Sequence, residues 1–266
     1  MWSMRALAVF KIASWNVNSL SVRLSQVIDW LQSSQVDLLA LQETKLVDER
    51  FPRACLEDLG YHLSFVGQKT YNGVALISRY SLEDVVIGIP DFHDEQRRVL
   101  AATVQGIRVI DVYVPNGSAV GSDKYLYKLA WLSALTTYVE QQLQQYPKLV
   151  LLGDFNIAPE DGDVYDPVAW EGSVLVSSDE RDALKKLLNL GLVDSFRTQH
   201  PDATQYSWWD YRQASFRRNH GLRIDLILLS QVLSSECVES AIDSEPRRAE
   251  RPSDHAPVWV KFKNSC

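Results

Sequence analysis

Lys148-Leu149-Val150-Leu151-Leu152-Gly153-Asp154-Phe155-Asn156 is the stretch on which the reading of this chain turns. The apolar run is too short for a helix and suits a strand, Lys148 to Leu152, covered on both faces. Asp154 and Asn156 follow two residues apart, so an extended backbone turns a carboxylate and an amide to the same side. The chain opens in the same way. Ala8 to Trp15 reads as a buried strand that stops at Asn16-Val17-Asn18, and Leu24, Val27, Ile28 and Leu31 then recur at helical spacing. A second apolar run, Val36 to Leu41, stops at Gln42-Glu43. Further strands are expected at Gly73 to Ser78, Val99 to Val104, Arg108 to Val114, Arg223 to Leu229 and Pro257 to Phe262, with helices at Lys124 to Tyr146 and Glu180 to Leu190. The stretch quoted first echoes Ala8 to Asn18 as a weak internal duplication. The predicted fold is an α/β four-layer sandwich: two packed, mainly antiparallel but mixed β-sheets flanked by helices, in pseudo-two-fold halves, with one site where strand ends converge.

Composition narrows the function classes. An apolar fraction of 46% can build a packed core, and no run approaches the roughly 18 to 20 apolar residues of a membrane span. Met1 to Phe10 is too short and broken for a secretory signal, so a cytoplasmic monomer without membrane contact is expected. Cys55, Cys237 and Cys266 have neither the number nor the spacing of a disulfide framework or zinc site and read as ordinary thiols. A net charge of -7 argues against bulk attraction to nucleic acid, leaving local clusters for that task. Basic residues gather at Arg97 and Arg98, from Arg212 to Arg223, and at Arg247, Arg248 and Arg251; the ordinary reading of each cluster is a solvated face.

Unaided phosphodiester hydrolysis is slow enough that an enzyme must remove on the order of 20 kcal/mol of barrier, which calls for a metal and a positioned base. A hard cation such as Mg²⁺ takes one or two carboxylates, other oxygens and waters. Leu41-Gln42-Glu43, Gly153-Asp154-Phe155-Asn156, Ser253-Asp254-His255 and Arg223-Ile224-Asp225 supply such groups at or near strand ends. Singly each is weak, because an Asp at a strand end is more often a turn or helix cap. Asp225 differs: Leu222, Ile224 and Leu226 surround it, a buried unpaired carboxylate is expensive, and His255 is its candidate partner.

Taken in order, these segments resemble the exonuclease III and abasic-site endonuclease family within the endonuclease, exonuclease and phosphatase superfamily. The superfamily elements are Trp15-Asn16-Val17-Asn18, Leu41-Gln42-Glu43, Gly153-Asp154-Phe155-Asn156 and Ser253-Asp254-His255. The repair branch is resembled by Gly67 to Ala75, Gln96-Arg97-Arg98, Tyr206 to Arg212 and Gly221 to Asp225, most of all the branch of the neisserial 3′-end-processing exonuclease. The resemblance runs from Lys11 to Phe262. It implies one domain over residues 11–263, with residues 1–10 an N-terminal extension and the start of the first strand, and Met4 an alternative initiator.

The resemblance also implies roles. Glu43 would be the main metal ligand, joined by Asp254, Asn16 and Asn156, with Asn18 supporting them from behind. Asp154 would orient or deprotonate the attacking water or bind metal, and Asn156 would hold that water or a phosphate oxygen. His255 would donate to a phosphate oxygen with Asp225 fixing its tautomer, and the Tyr113 phenol would stabilise the phosphate or the departing oxygen beside Asn116. Without the family context Tyr113 is an ordinary strand aromatic. The cofactor is Mg²⁺, with Mn²⁺ as substitute.

The partner is double-stranded DNA with abasic sites, nicks or blocked 3′ ends, held mostly through phosphates. Tyr71, Asn72 and Gly73 match backbone-contacting positions, and Arg97, Arg212 and Arg217 suit the same task on electrostatic grounds. Trp208, Leu222 and Ile224 match an apolar pocket for the lesion sugar, although Trp208 and Trp209 also read as core aromatics. Val176-Ser177-Ser178-Asp179-Glu180-Arg181 departs from the family's loop at that pocket. The rival readings are a phosphoinositide phosphatase-like or secreted enzyme of the superfamily, opposed by the repair-branch segments, and an inactive binding module. Against the second stand the intact Glu43, Asp154, Asn156, Asp225 and His255.

Overall fold

The structure, a computed structural model, describes residues 9–263, so Met4, Ala8 and Cys266 lie outside the described residues. Among the described residues twelve strands form, in chain order: β1 Val9–Asn16, β2 Leu38–Gln42, β3 His62–Val66, β4 Val74–Ser78, β5 Glu83–Ile87, β6 Val99–Val104, β7 Ile107–Tyr113, β8 Leu149–Asp154, β9 Leu192–Asp194, β10 Asp225–Ser230, β11 Cys237–Ile242 and β12 Val258–Lys263. The first five α-helices are α1 Leu20–Ser34, α2 Arg53–Glu57, α3 Asp123–Gln145, α4 Pro167–Trp170 and α5 Ser178–Leu188. The strands make two six-stranded sheets, ordered β11-β12-β1-β2-β4-β3 and β5-β6-β7-β8-β10-β9. Only β1/β2 and β7/β8 pair in parallel, each across a helix, α1 and α3 respectively.

The inner faces of the sheets share one core, in which Ile12, Leu38, Leu76 and Val260 meet Leu100, Val109, Leu152 and Leu229. On the outer faces α1 packs Val27, Trp30 and Leu31 against Trp15 and Leu39, and α3 packs Trp131, Leu135 and Tyr138 with α5 residues against Leu151 and Leu228. Helix, sheet, sheet and helix thus form the four expected layers. One polar joint crosses the middle: Gln42 Nε2 of β2 donates to Ser14 Oγ at 3.0 Å and to Asp111 Oδ1 of β7 at 2.7 Å. Burial pushes the Asp111 carboxyl well above the usual carboxylate range, and the Gln42 amide draws it back in part.

The two halves are related differently from the sequence expectation. β8 is the second strand of its parallel pair, so its counterpart is β2, and β1 corresponds to β7. The register sets Asn16 beside Gln42 and Tyr113 beside Asp154, which makes Asn16 and Tyr113 equivalent positions. Gly153 is required by this pairing: its φ is 141°, and a Cβ there would collide with the Val112 carbonyl of β7. Other boundaries also shift. Val9 and Phe10 belong to β1, as the start of the first strand, whereas Asp225 opens β10 instead of lying inside a strand. Residues 178–181 are not loop but the first turn of α5, where Ser177 and Glu180 form a reciprocal cap.

Candidate active site

Four strands end at one edge of the interface between the sheets. Asn16 and Gln42 finish the parallel pair of one sheet, Tyr113 and Asp154 that of the other, and Asp225 enters beside Asp154 on antiparallel β10. Asn16 Nδ2 joins the two sheets by donating to Glu43 Oε1 at 3.0 Å and to Asp154 Oδ2 at 2.8 Å. Just past the strand ends Glu43 has φ 52° and Asn156 has φ 49°. Such left-handed backbone is common for Asn but costs a Glu on the order of 1 kcal/mol, a strain that the site's bonds hold in place.

Asp154 Oδ1 accepts from the Asn156 amide at 2.9 Å, and Asn156 Nδ2 reaches Val114 O at 3.0 Å and Asp154 Oδ2 at 3.3 Å. Asn116 Nδ2 donates to Asn156 Oδ1 at 3.2 Å. His255 Nε2 lies 3.7 Å from Asp154 Oδ2. Its Nδ1 bonds Asp225 Oδ2 at 2.9 Å, and that same oxygen accepts from Ser207 Oγ at 2.6 Å. The buried carboxylate therefore has the partner that the sequence reading required.

These groups divide in charge. Burial pushes Glu43 up, but the Lys45 ammonium 2.9 Å away and the Asn16 bond outweigh it and hold the carboxyl below its usual range. Burial pushes Asp154 to about 7 against the opposing charge of His255. His255 would lose its proton to burial, yet Asp225 and Asp154 raise it to about 10, so the imidazolium persists. Burial together with Glu43 and Asp154 drives the Tyr113 phenol well above its usual value and keeps it a donor.

Glu43, Asp154 and His255 each place one ligand-type atom within 4.8 Å of the others. An imidazolium whose Nδ1 proton goes to Asp225 has no free lone pair, so the cation donors are the two carboxylates, a hard oxygen pair that fits a divalent cation. Asn16 Oδ1 accepts from the Asn18 amide at 3.0 Å while its nitrogen serves both acids. Asp254 stands outside the trio, with its oxygens held by Asn18 Nδ2 at 2.9 Å and Trp208 Nε1 at 3.0 Å.

Beside the acids, Tyr71, Asn72, Arg98, Tyr113, Asn116 and Lys124 line a groove of about 480 Å³. Asn72 is buried, with Nδ2 on Gln68 Oε1 at 3.0 Å, and the Gly73 amide donates to Arg97 O at 2.9 Å. Arg97, Arg212 and Arg217 are exposed, and none of them has an acidic partner among the described residues. Leu222 and Ile224 are buried at 0% and 1% exposure and pack with Leu175, Val176 and Val164, leaving Trp208 as the partly exposed member of the expected pocket. Two other arginines from the basic clusters are not solvated: Arg223 is buried on Asp163 and Asp194, and Arg247 among Trp209, Tyr211 and Phe216. Sequence reasoning passed over Lys45 and Ser207 as site residues and named Arg98 only within a basic cluster and a family motif. Arg98 binds Tyr113 O at 3.0 Å and lies 4.6 Å from that ring's centre. The signal for Lys45 was its place two residues after Glu43, and Ser207 sits in a motif read for its tryptophans.

A fold of two six-stranded sheets with acids gathered at one edge defines a class, and the comparisons place the chain within it. Residues 13–255 match the Endonuclease/Exonuclease/phosphatase family, to which the chain belongs. Within that family it is 37% identical to exodeoxyribonuclease III of Haemophilus influenzae over 266 residues, covering 95% of this chain and 100% of the relative. A 3′ phosphatase from Neisseria, solved with a product DNA hairpin, superposes with a TM-score of 0.94 at 51% identity over 95% of this chain and 99% of that one. An AP endonuclease from Archaeoglobus fulgidus superposes with a TM-score of 0.92 at 41% identity, covering 95% of this chain and 99% of the other.

Proposed function

We propose that this chain hydrolyses phosphate esters at blocked or nicked 3′ ends of damaged duplex DNA, in preference to cutting at internal abasic sites, with Mg²⁺ as cofactor and as a monomer. More coarsely, it is a hydrolytic nuclease of DNA repair of the exonuclease III and AP endonuclease type. The observation that carries the chemistry is Asp154, a carboxylate at about 7 set between the Asn16 and Asn156 amides and the His255 imidazolium. A carboxyl tuned to that range can take a proton from the attacking water at its Oδ atoms.

His255 Nε2–H then donates to a non-bridging phosphate oxygen, with Asp225 fixing the ring. The Tyr113 hydroxyl and the Asn116 amide, which line the groove, would meet the departing oxygen. Glu43 and Asp154 would hold the cation, which supplies positive charge against the phosphate oxygens when bound. The preference for ends rests on the apolar cluster beside Trp208. On this reading Leu175, at φ 78°, which packs with Leu222 and Ile224, would narrow the pocket that an extruded abasic sugar needs. Tyr71, Arg97, Arg212 and Arg217 are exposed, as residues that meet backbone phosphates without reading sequence must be.

The test compares one enzyme on a duplex with a 3′-phosphate nick, a duplex with one internal abasic site, and soluble inositol phosphates. Faster reaction at the nick is expected. Faster incision at the internal site would overturn the end preference, and turnover of inositol phosphate alone would overturn the DNA assignment.

A further inference from the structure

Lys128 of α3 has no exposed surface, and neither has Glu180 of α5, to which its ammonium is paired. A buried pair of this kind is not an efficient source of stability, because desolvating two charges consumes most of what their attraction returns. Its remaining bonds show what it holds. Lys128 Nζ donates to Asn156 O at 2.7 Å and to Asn116 O at 3.2 Å, the backbone carbonyls of the two residues whose side-chain amides meet at 3.2 Å in the active site.

Glu180 grips the other side. Its Oε1 accepts from the Leu175 amide at 3.1 Å, and its Oε2 from the Ser177 amide at 3.2 Å and the Ser177 hydroxyl at 2.5 Å. Tyr125 OH closes on Ser177 Oγ at 2.6 Å. The pair therefore ties three segments together: the loop after β7, the loop after β8, and the turn before α5 that walls the apolar cluster.

We infer that Lys128 and Glu180 are a positioning pair, which fixes the Asn116 and Asn156 loops against the residue 175–177 turn so that the Asn156 amide stays on Asp154. Neither side chain reaches the substrate. Each acts through carbonyls and amides of residues that do, and the left-handed backbone of Asn156 and Leu175 is kept in place by the same bonds. The inference rests on the role given to Asn156 above. A displacement of about 1 Å at such a residue costs on the order of 10²-fold in rate.

The experiment measures the single-turnover rate constant at saturating enzyme on a nicked duplex for wild type, Lys128→Met/Glu180→Gln and Asn156→Ala. An inactive fraction does not lower that constant. DNA affinity is read by anisotropy in EDTA, and melting is followed for each variant. The double variant removes both charges together, so its melting temperature should stay within about 5 °C of wild type. The expected result is a rate constant reduced about ten- to a hundredfold with DNA affinity within about twofold. A wild-type rate in the folded double variant, with Asn156→Ala slow, would overturn the coupling alone. A wild-type rate in Asn156→Ala would overturn the role of Asn156 and the inference with it. If the double variant melts below the assay temperature, the same rate constants are measured for all three proteins below its melting point, with the same two outcomes.

Discussion

His255 stands between two carboxylates held for different ends: Asp225 lies 2.9 Å from its Nδ1, and Asp154 lies 3.7 Å from its Nε2. Asp154 sits at about 7 and His255 at about 10, so the ionised acid and the imidazolium coexist between those values. Activity should rise with pH as Asp154 loses its proton, below about pH 7 when a cation on the same carboxylate favours its ionised form, and fall near pH 10 as His255 loses its own. Asp225 is the largest influence raising His255, so Asp225→Asn should move the alkaline limb downward. A folded-state value above the ordinary 6.5 also stabilises the fold. That contribution is complete below about 6.5 and is lost as pH rises toward 10, so Asp225→Asn should cost more stability at pH 6.5 than at pH 10. Cleavage rates and urea unfolding across this range check both statements, and an unmoved alkaline limb would remove Asp225 from its role.

Asp154→Asn and His255→Ala should each reduce single-turnover cleavage on the order of 10³-fold or more, since each removes a group poised for the proton or the phosphate charge. Circular dichroism should show both variants folded. Cleavage near the wild-type rate in either would withdraw that residue from the chemistry.

Removal of divalent metal should abolish activity, and Mg²⁺ or Mn²⁺ should restore it. Binding should also show without turnover. A cation at a hundredfold excess over its Kd stabilises the folded state by about 2.7 kcal/mol, about 5 °C or more in melting temperature for a chain of this size. The shift should be larger above pH 7, where Asp154 is ionised, than below pH 6. Glu43→Gln should lose most of it. Full cleavage in EDTA, or an equal shift in Glu43→Gln, would count against Glu43 as a ligand.

What the sequence disclosed follows from burial. The strands that it marked, such as β2 and β8, are wholly buried and carry unbroken apolar runs. The four that it passed over, β3, β5, β9 and β11, are the four edges of the two sheets. Edge strands are half covered and interrupted by polar residues, as in Glu83-Asp84-Val85-Val86-Ile87, so no periodicity marks them. In the site, Asp225 and His255 could be paired because an acid among apolar neighbours demands a partner. The carboxylates of Glu43 and Asp154 could be named, but not the single amide of Asn16 that bridges them, because that contact depends on how two sheets face each other. The misassigned half-repeat has a similar cause: Gly-Asp-Phe-Asn resembles Trp-Asn-Val-Asn as a string, while position within a parallel pair decides equivalence.

Asp163 offers a test of the frame behind Asp225. Arg223, two residues before it, is 1% exposed; its Nε lies 2.7 Å and its Nη2 3.1 Å from the Asp163 carboxylate, and Asp194 adds a contact at 2.8 Å. Arg197 reaches the same carboxylate at 2.5 Å. Asp163→Ala would strand a buried guanidinium with half its partners, which should cost about 3 to 5 kcal/mol in urea unfolding. Asp163→Leu combined with Arg223→Met removes both charges and should recover much of that loss, since the penalty lies in the orphaned charge rather than in the absence of the pair. A loss under about 1 kcal/mol for Asp163→Ala would place this network with surface ion pairs, and the orientation of Asp225 toward His255 would then have to come from Ser207 alone.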